Sequence, residues 1–187
     1  MLGIDLKSRR NKEIVKWFLA AILYSKPIRE SSATRTFRCF ERYGVTTASR
    51  VVDAGWDRLV SILDEGGYTR YDFSTADKLL EVFGNLQEQY GGNLNRLYQA
   101  SRDGKEVEAN LKRLGKGIGD ITVAIFLRDM RSVWRKVDPT PTPLVIAAMK
   151  SLGIKDLKQY AKKKRMDLVR LETALLRYSK GNLKKRN

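Results

Sequence analysis

Histidine is absent from the 187 residues. Histidine triads, histidine general bases and histidine metal ligands are therefore excluded, and any acid–base chemistry falls to carboxylates, lysine or tyrosine. A single cysteine, Cys39, rules out a disulfide framework or a cysteine-ligated metal or iron–sulfur centre within the chain. Flanked by Phe37 and Phe40, it reads as a core thiol. Long apolar runs are also missing. The stretch from Trp17 to Tyr24 is too short to cross a membrane and follows a helical pattern. No signal-peptide pattern accompanies it, so a cytoplasmic location is expected. Strand-type alternation persists nowhere, and the expected fold class is all-α.

What the chain has in excess is positive charge, with 37 Lys and Arg against 21 Asp and Glu. The excess is uneven. Residues 1–50 hold 11 basic and 4 acidic residues, residues 51–149 hold 13 and 14, and residues 150–187 hold 13 and 3. Two basic ends around a neutral middle suggest a polyanionic partner, nucleic acid before membrane. A hydrophobic fraction of 42% is ordinary for a globular protein, and the length suits one domain or two small lobes.

Helical periodicity is expected over 13–25, 29–42 and 73–87, with shorter helices ending near Val52 and spanning Trp56 to Leu63. Gly44 and Gly153 read as helix-ending glycines. Thr142 and Pro143 suit the start of another helix, and two basic helices are expected near 155–163 and 166–179. The sequence organises itself around 111–138. Gly115, Gly117 and Gly119 separate two helical patterns, so their backbone can approach a ligand closely, with unpaired N–H groups at the start of the second helix. A phosphate is the natural ligand of such a hairpin. The bland alternative is a tight helix–helix turn. Asp138 follows, with Pro139, Pro141 and Pro143 behind it.

These residues resemble the helix-hairpin-helix DNA glycosylases of the endonuclease III type. Ala21-Ile-Leu-Tyr-Ser-Lys26 sits where the family has Leu-Leu-Ser-Ala-Gln, and Gly67-Tyr-Thr-Arg70 matches its Gly-Leu-Tyr-Asn turn. Gln89-Tyr-Gly-Gly92 resembles the turn before the hairpin. Gly117-Ile-Gly119 with Thr122 resembles the hairpin signature, Val137-Asp138 the Val-Asp that follows, and Leu152-Gly153 the later Leu-Gly. Two features of the family are missing. Ile121 stands where the lyase lysine is expected, and the four-cysteine iron–sulfur loop is absent.

The resemblance implies a six-helix lobe over 27–135 carrying the hairpin, a second lobe from 1–26 plus 136–187, and a base-binding cleft between them. It implies base excision by Asp138, most simply by water alone, on double-stranded DNA with a damaged or mismatched base. The protein would be a monomer associated with the nucleoid. Gly115, Lys116, Gly117 and Gly119 would hold the DNA backbone, with a monovalent cation at the hairpin. Lys26 and Tyr68 would fill the gap left by the flipped base, and Arg70 and Arg113 would touch phosphates, as would the run Lys162-Lys163-Lys164-Arg165. Tyr24, Tyr71 and Trp134 are candidates to line a base pocket. Asp120 and Asp72 are possible second carboxylates. Several of these have a plainer reading: Asp138 as a helix cap, Tyr68 as a rim aromatic, Trp134 as core, and Asp120 as a partner of the helix dipole. Three rivals stand beside the enzyme reading. One is a lyase using Lys26, Lys116 or Lys136, another is a non-catalytic DNA binder, and the third is a basic helical RNA-associated protein.

Overall fold

The computed structural model describes residues 2–184, with side chains through residue 181. The described residues are all-helical. Ten α-helices run in order: α1 Asn11–Tyr24, α2 Glu30–Arg42, α3 Ala48–Gly66, α4 Asp72–Tyr90, α5 Leu94–Ala100, α6 Gly104–Arg113, α7 Asp120–Met130, α8 Pro143–Ser151, α9 Leu157–Lys163 and α10 Leu168–Lys184. None is long and apolar enough to cross a membrane.

The chain divides into two compact units, Met1–Asp138 and Pro139–Asn187. In the first, α1 is the centre because its sequence is apolar nearly all round. Ile14, Val15 and the whole run Phe18–Leu23 are buried. The Phe18 ring meets Phe83 of α4 at 6.1 Å and Phe126 of α7 at 5.0 Å, both edge-on. Polar contacts fix the same helix: Trp17 Nε1 donates to the Phe126 carbonyl at 3.0 Å. Asn11 bridges the α4–α5 turn, donating to Gly92 O and accepting from Leu94 N–H. This differs from the expected division, which set residues 1–26 apart from 27–135. The buried residues of α1 are part of that unit's core, so 1–26 belongs to the unit that carries the hairpin.

The second unit has its own small core of Val145, Ala148, Ile154, Leu157, Ala161, Leu171 and Leu175. Asp156 and Asp167 cap α9 and α10 through their carboxylates. Thr142 precedes α8 but its hydroxyl makes no cap bond, and Pro143 alone marks that helix start.

The two short helices expected around Gly55 are both present within α3, which is interrupted at Gly55, where φ is +70° and the backbone is not helical. Gly66, at the end of α3, is needed for packing: a Cβ there would overlap the backbone and side chain of Thr36 on α2. Gly84 in α4 faces open space. Gly66→Ala is therefore expected to lower stability by about 1–3 kcal/mol. Gly84→Ala is expected to raise it by roughly 0.5–1 kcal/mol. Urea unfolding of both variants reads the contrast.

Candidate nucleic-acid interface

The hairpin joins α6 to α7 and rests on α4. Asn85 Nδ2 donates to the Leu114 carbonyl at 2.8 Å, and Lys78 Nζ donates to the Gly117 carbonyl at 3.1 Å. Gly115 is buried against α4, where a Cβ would come within 2.7 Å of Val82. It is a packing glycine and does not face a ligand. Gly117 and Gly119 are exposed, as is Lys116. Gly117 needs its glycine twice over: φ is +83°, and a Cβ would sit 2.6 Å from Lys78 Cε.

Gly119 starts α7 with no side chain capping it. The first-turn N–H groups of Asp120, Ile121 and Thr122 thus carry the positive end of the helix dipole. Asp120, at that end, is paired with Lys112 at 2.5 Å, and Lys112 is held above the usual lysine range chiefly by that hydrogen bond. Ile121 is 40% exposed. An ammonium on the Gly117 oxygen would repel a monovalent cation at the same carbonyl, so the residues present do not fit one there.

Beside Gly117 stands a cluster that the sequence reading left scattered. Lys26, in the loop after α1, is near enough for its charge to act on Lys78 and lies over the Tyr71 ring at 5.5 Å. Arg70 lies on the same ring at 5.9 Å. Tyr71 itself is half-buried. Burial first, then the Lys26 charge, push Lys78 down to about 8. Lys78 was not singled out from the sequence, although its spacing from Thr75 and Val82 puts it on the buried side of α4.

Two expected site residues are core residues instead. Tyr68 is 1% exposed, its hydroxyl donating to the Leu23 carbonyl, so it cannot act as a wedge. The turn at Gly67 directs it inward to satisfy an end carbonyl of α1. Burial raises its pKa well above the ordinary tyrosine range. Trp134 is likewise 1% exposed, stacked on Tyr98 at 4.9 Å with Nε1 donating to Asn95. It cannot line a base pocket. Tyr24 is partly buried, bonded to Thr34 at 2.6 Å and raised in pKa mainly by desolvation.

Asp138 stands apart from the hairpin cluster. Its side chain is 52% exposed, and Oδ1 lies 3.4 Å from Nε of Arg131, the residue that ends α7. The hairpin is at the other end of that helix. Arg113 is exposed and bonded to Asn110, and the run 162–165 is exposed in the second unit. A cavity of about 470 Å³ opens elsewhere, between Lys12 and Lys16 of α1, Glu41 of α2 and Arg50 of α3, and contains none of the expected site residues. Among the described residues no His, Cys, Asp and Glu group is arranged to hold a metal. No protein-family model matches the chain, and neither does any curated protein or solved structure.

Lys78 titrates below an unfolded lysine, so between about pH 8 and its unfolded value near 10.5 the unfolded chain binds more protons. Stability attributable to this residue therefore rises with pH across that window. The difference in urea midpoint between the wild type and Lys78→Met is expected to grow in favour of the wild type from pH 8 to 10. Lys26→Met is expected to raise the Lys78 pKa, read by NMR of labelled lysine side chains.

Proposed function

We propose that this chain is a DNA N-glycosylase of base excision repair that grips duplex DNA with the 115–119 hairpin and releases a damaged or mismatched base using Asp138. The observation that carries the reading is the hairpin. Its exposed glycines lead into an uncapped helix start, flanked by Lys116, Lys26 and Arg70. Orphan N–H groups, a helix dipole and nearby cations together suit a phosphate diester. The basic ends of the chain favour the same partner. Such an enzyme would work as a monomer on the nucleoid, in the cytoplasm.

When the glycosidic bond breaks, its electron pair leaves with the base and positive charge develops on the sugar. An exposed carboxylate beside C1′ stabilises that charge and orients the attacking water. Asp138 is given this role, with Arg131 fixing one of its oxygens. Ile121 supplies no amine at the start of α7, so water is the nucleophile for base release. A second reading, a hairpin protein that binds DNA without chemistry, is favoured by the pairing of Asp138 with a guanidinium at the far end of α7.

A panel of single-lesion duplexes, each divided into alkali-treated and untreated halves, tests the enzyme reading. Release of one base, with strand breaks mainly after alkali, is the expected result. Asp138→Asn is expected to lower that release by roughly 10²–10⁴-fold while leaving duplex affinity within a few-fold. Tight duplex binding with no release from any lesion would establish the binder instead. Lys116→Ala is expected to weaken binding to all duplexes alike and to reduce the salt slope by about 1.

A further inference from the structure

The cavity of about 470 Å³ in the first unit takes no part in the hairpin or in the surroundings of Asp138. Lys12 and Lys16 of α1, Glu41 of α2, Thr46 in the turn and Thr47 and Arg50 of α3 line it, so three cations face one carboxylate. That carboxylate is already held, by Lys16 at 3.6 Å and by Arg38. Lys12 and Arg50 have no acidic partner among the described residues. Thr46 is 6% exposed, yet its hydroxyl has no hydrogen-bond partner among the described residues and can meet one only in the cavity. The start of α3 adds backbone donors: the Thr47 side chain accepts the Arg50 N–H at 3.3 Å and leaves those of Ala48 and Ser49 open. No aromatic side chain lines the space, so a base would find nothing to stack on.

We propose that this cavity binds a phosphomonoester or diphosphate, as a second anion site separate from the hairpin. The excess of cations excludes a metal ion or an amine, and a neutral ligand would leave Lys12 and Arg50 unanswered. A terminal phosphate carries two charges on three diverging oxygens. Donors converge here from α1, from α3 and from Thr46, which suits that shape better than the two coplanar oxygens of a carboxylate. The space exceeds one phosphate group and admits a second phosphate or a sugar. The site stands at the start of α1, whereas Lys26 of the hairpin cluster follows its end. A helix of 14 residues is about 21 Å long, so one phosphate cannot serve both places. Two sources share this chemistry: a small phosphate compound, and the terminal phosphate of a nucleic-acid strand, which enters a cavity end-on as a diester within the strand does not. The site shares no residue with the hairpin or Asp138, so its failure leaves the DNA reading untouched.

The test is calorimetric titration of the full chain with inorganic pyrophosphate at physiological ionic strength. Saturable one-to-one binding is expected. Lys12→Gln and Arg50→Gln, both at exposed side chains, are each expected to weaken it about tenfold. Lys155→Gln removes the same charge from an exposed position in the second unit and is expected to leave it unchanged. No saturable binding overturns the proposal. Equal weakening by Lys155→Gln also overturns it, because the anion would then be answering net charge alone. Citrate binding as tightly as pyrophosphate overturns the phosphate assignment. A second arm compares duplexes with 5′-phosphate and 5′-hydroxyl ends. Tighter binding of the phosphorylated duplex, lost in Arg50→Gln, identifies a strand end as the source. Equal binding of the two duplexes, with pyrophosphate still bound, identifies a small phosphate compound.

Discussion

The face of α4 that supports the hairpin is the constraint on which the rest of the candidate interface depends. A loop with three glycines in five residues has little side-chain packing of its own and a large conformational entropy to lose. Its order comes from outside. Asn85 and Lys78 take the Leu114 and Gly117 carbonyls, and Val82 presses on Gly115. The glycines are thus of different kinds. Gly115 lets α4 approach, Gly117 supplies the left-handed turn and room for Lys78, and Gly119 opens the start of α7. By holding these carbonyls, α4 fixes the hairpin backbone and with it the start of α7.

The same contact sets the electrostatics. A lysine inserted under a hairpin supplies a donor for a carbonyl that would otherwise lack a partner, at the cost of partial desolvation of its own charge. Lys26 deepens that cost and is itself steadied over Tyr71. The arrangement is stable because α1 and α4 are locked together elsewhere, through Phe18 and Phe83 and through Asn11 at the α4–α5 turn. Repulsion between two cations is tolerated where a rigid core prevents them from separating.

Much of this was legible in the sequence, and the exceptions have physical causes. Apolar periodicity found the helices because burial and helical spacing agree in them. Glycine spacing found the hairpin because closely spaced glycines interrupt both helical patterns. The break at Gly55 was legible as well, since the helical pattern pauses after Val52 and resumes at Trp56. Tyr68 and Trp134 show the limit of residue type. An aromatic in a turn is equally suited to the rim and the core, and which way it points is decided by a carbonyl many residues away, Leu23 for Tyr68 and the Asn95 side chain for Trp134. Lys78 reads as a polar-face lysine until its spacing is counted against Thr75 and Val82, and its partner at Gly117 is set only by tertiary packing.

The positions of the hairpin and Asp138 bear on how chemistry could be divided. α7 spans 11 residues, from the hairpin to the helix end where Arg131 meets Asp138, and such a helix is about 16 Å long. One DNA strand advances roughly 3.4 Å per nucleotide, so a phosphate on the hairpin and a sugar at the far end of α7 would be several nucleotides apart. The amine of Lys78 lies against the hairpin itself. The hairpin and Asp138 are thus two separate places joined by α7, each with its own cation: Lys78 under the Gly117 carbonyl and Arg131 beside the Asp138 carboxylate.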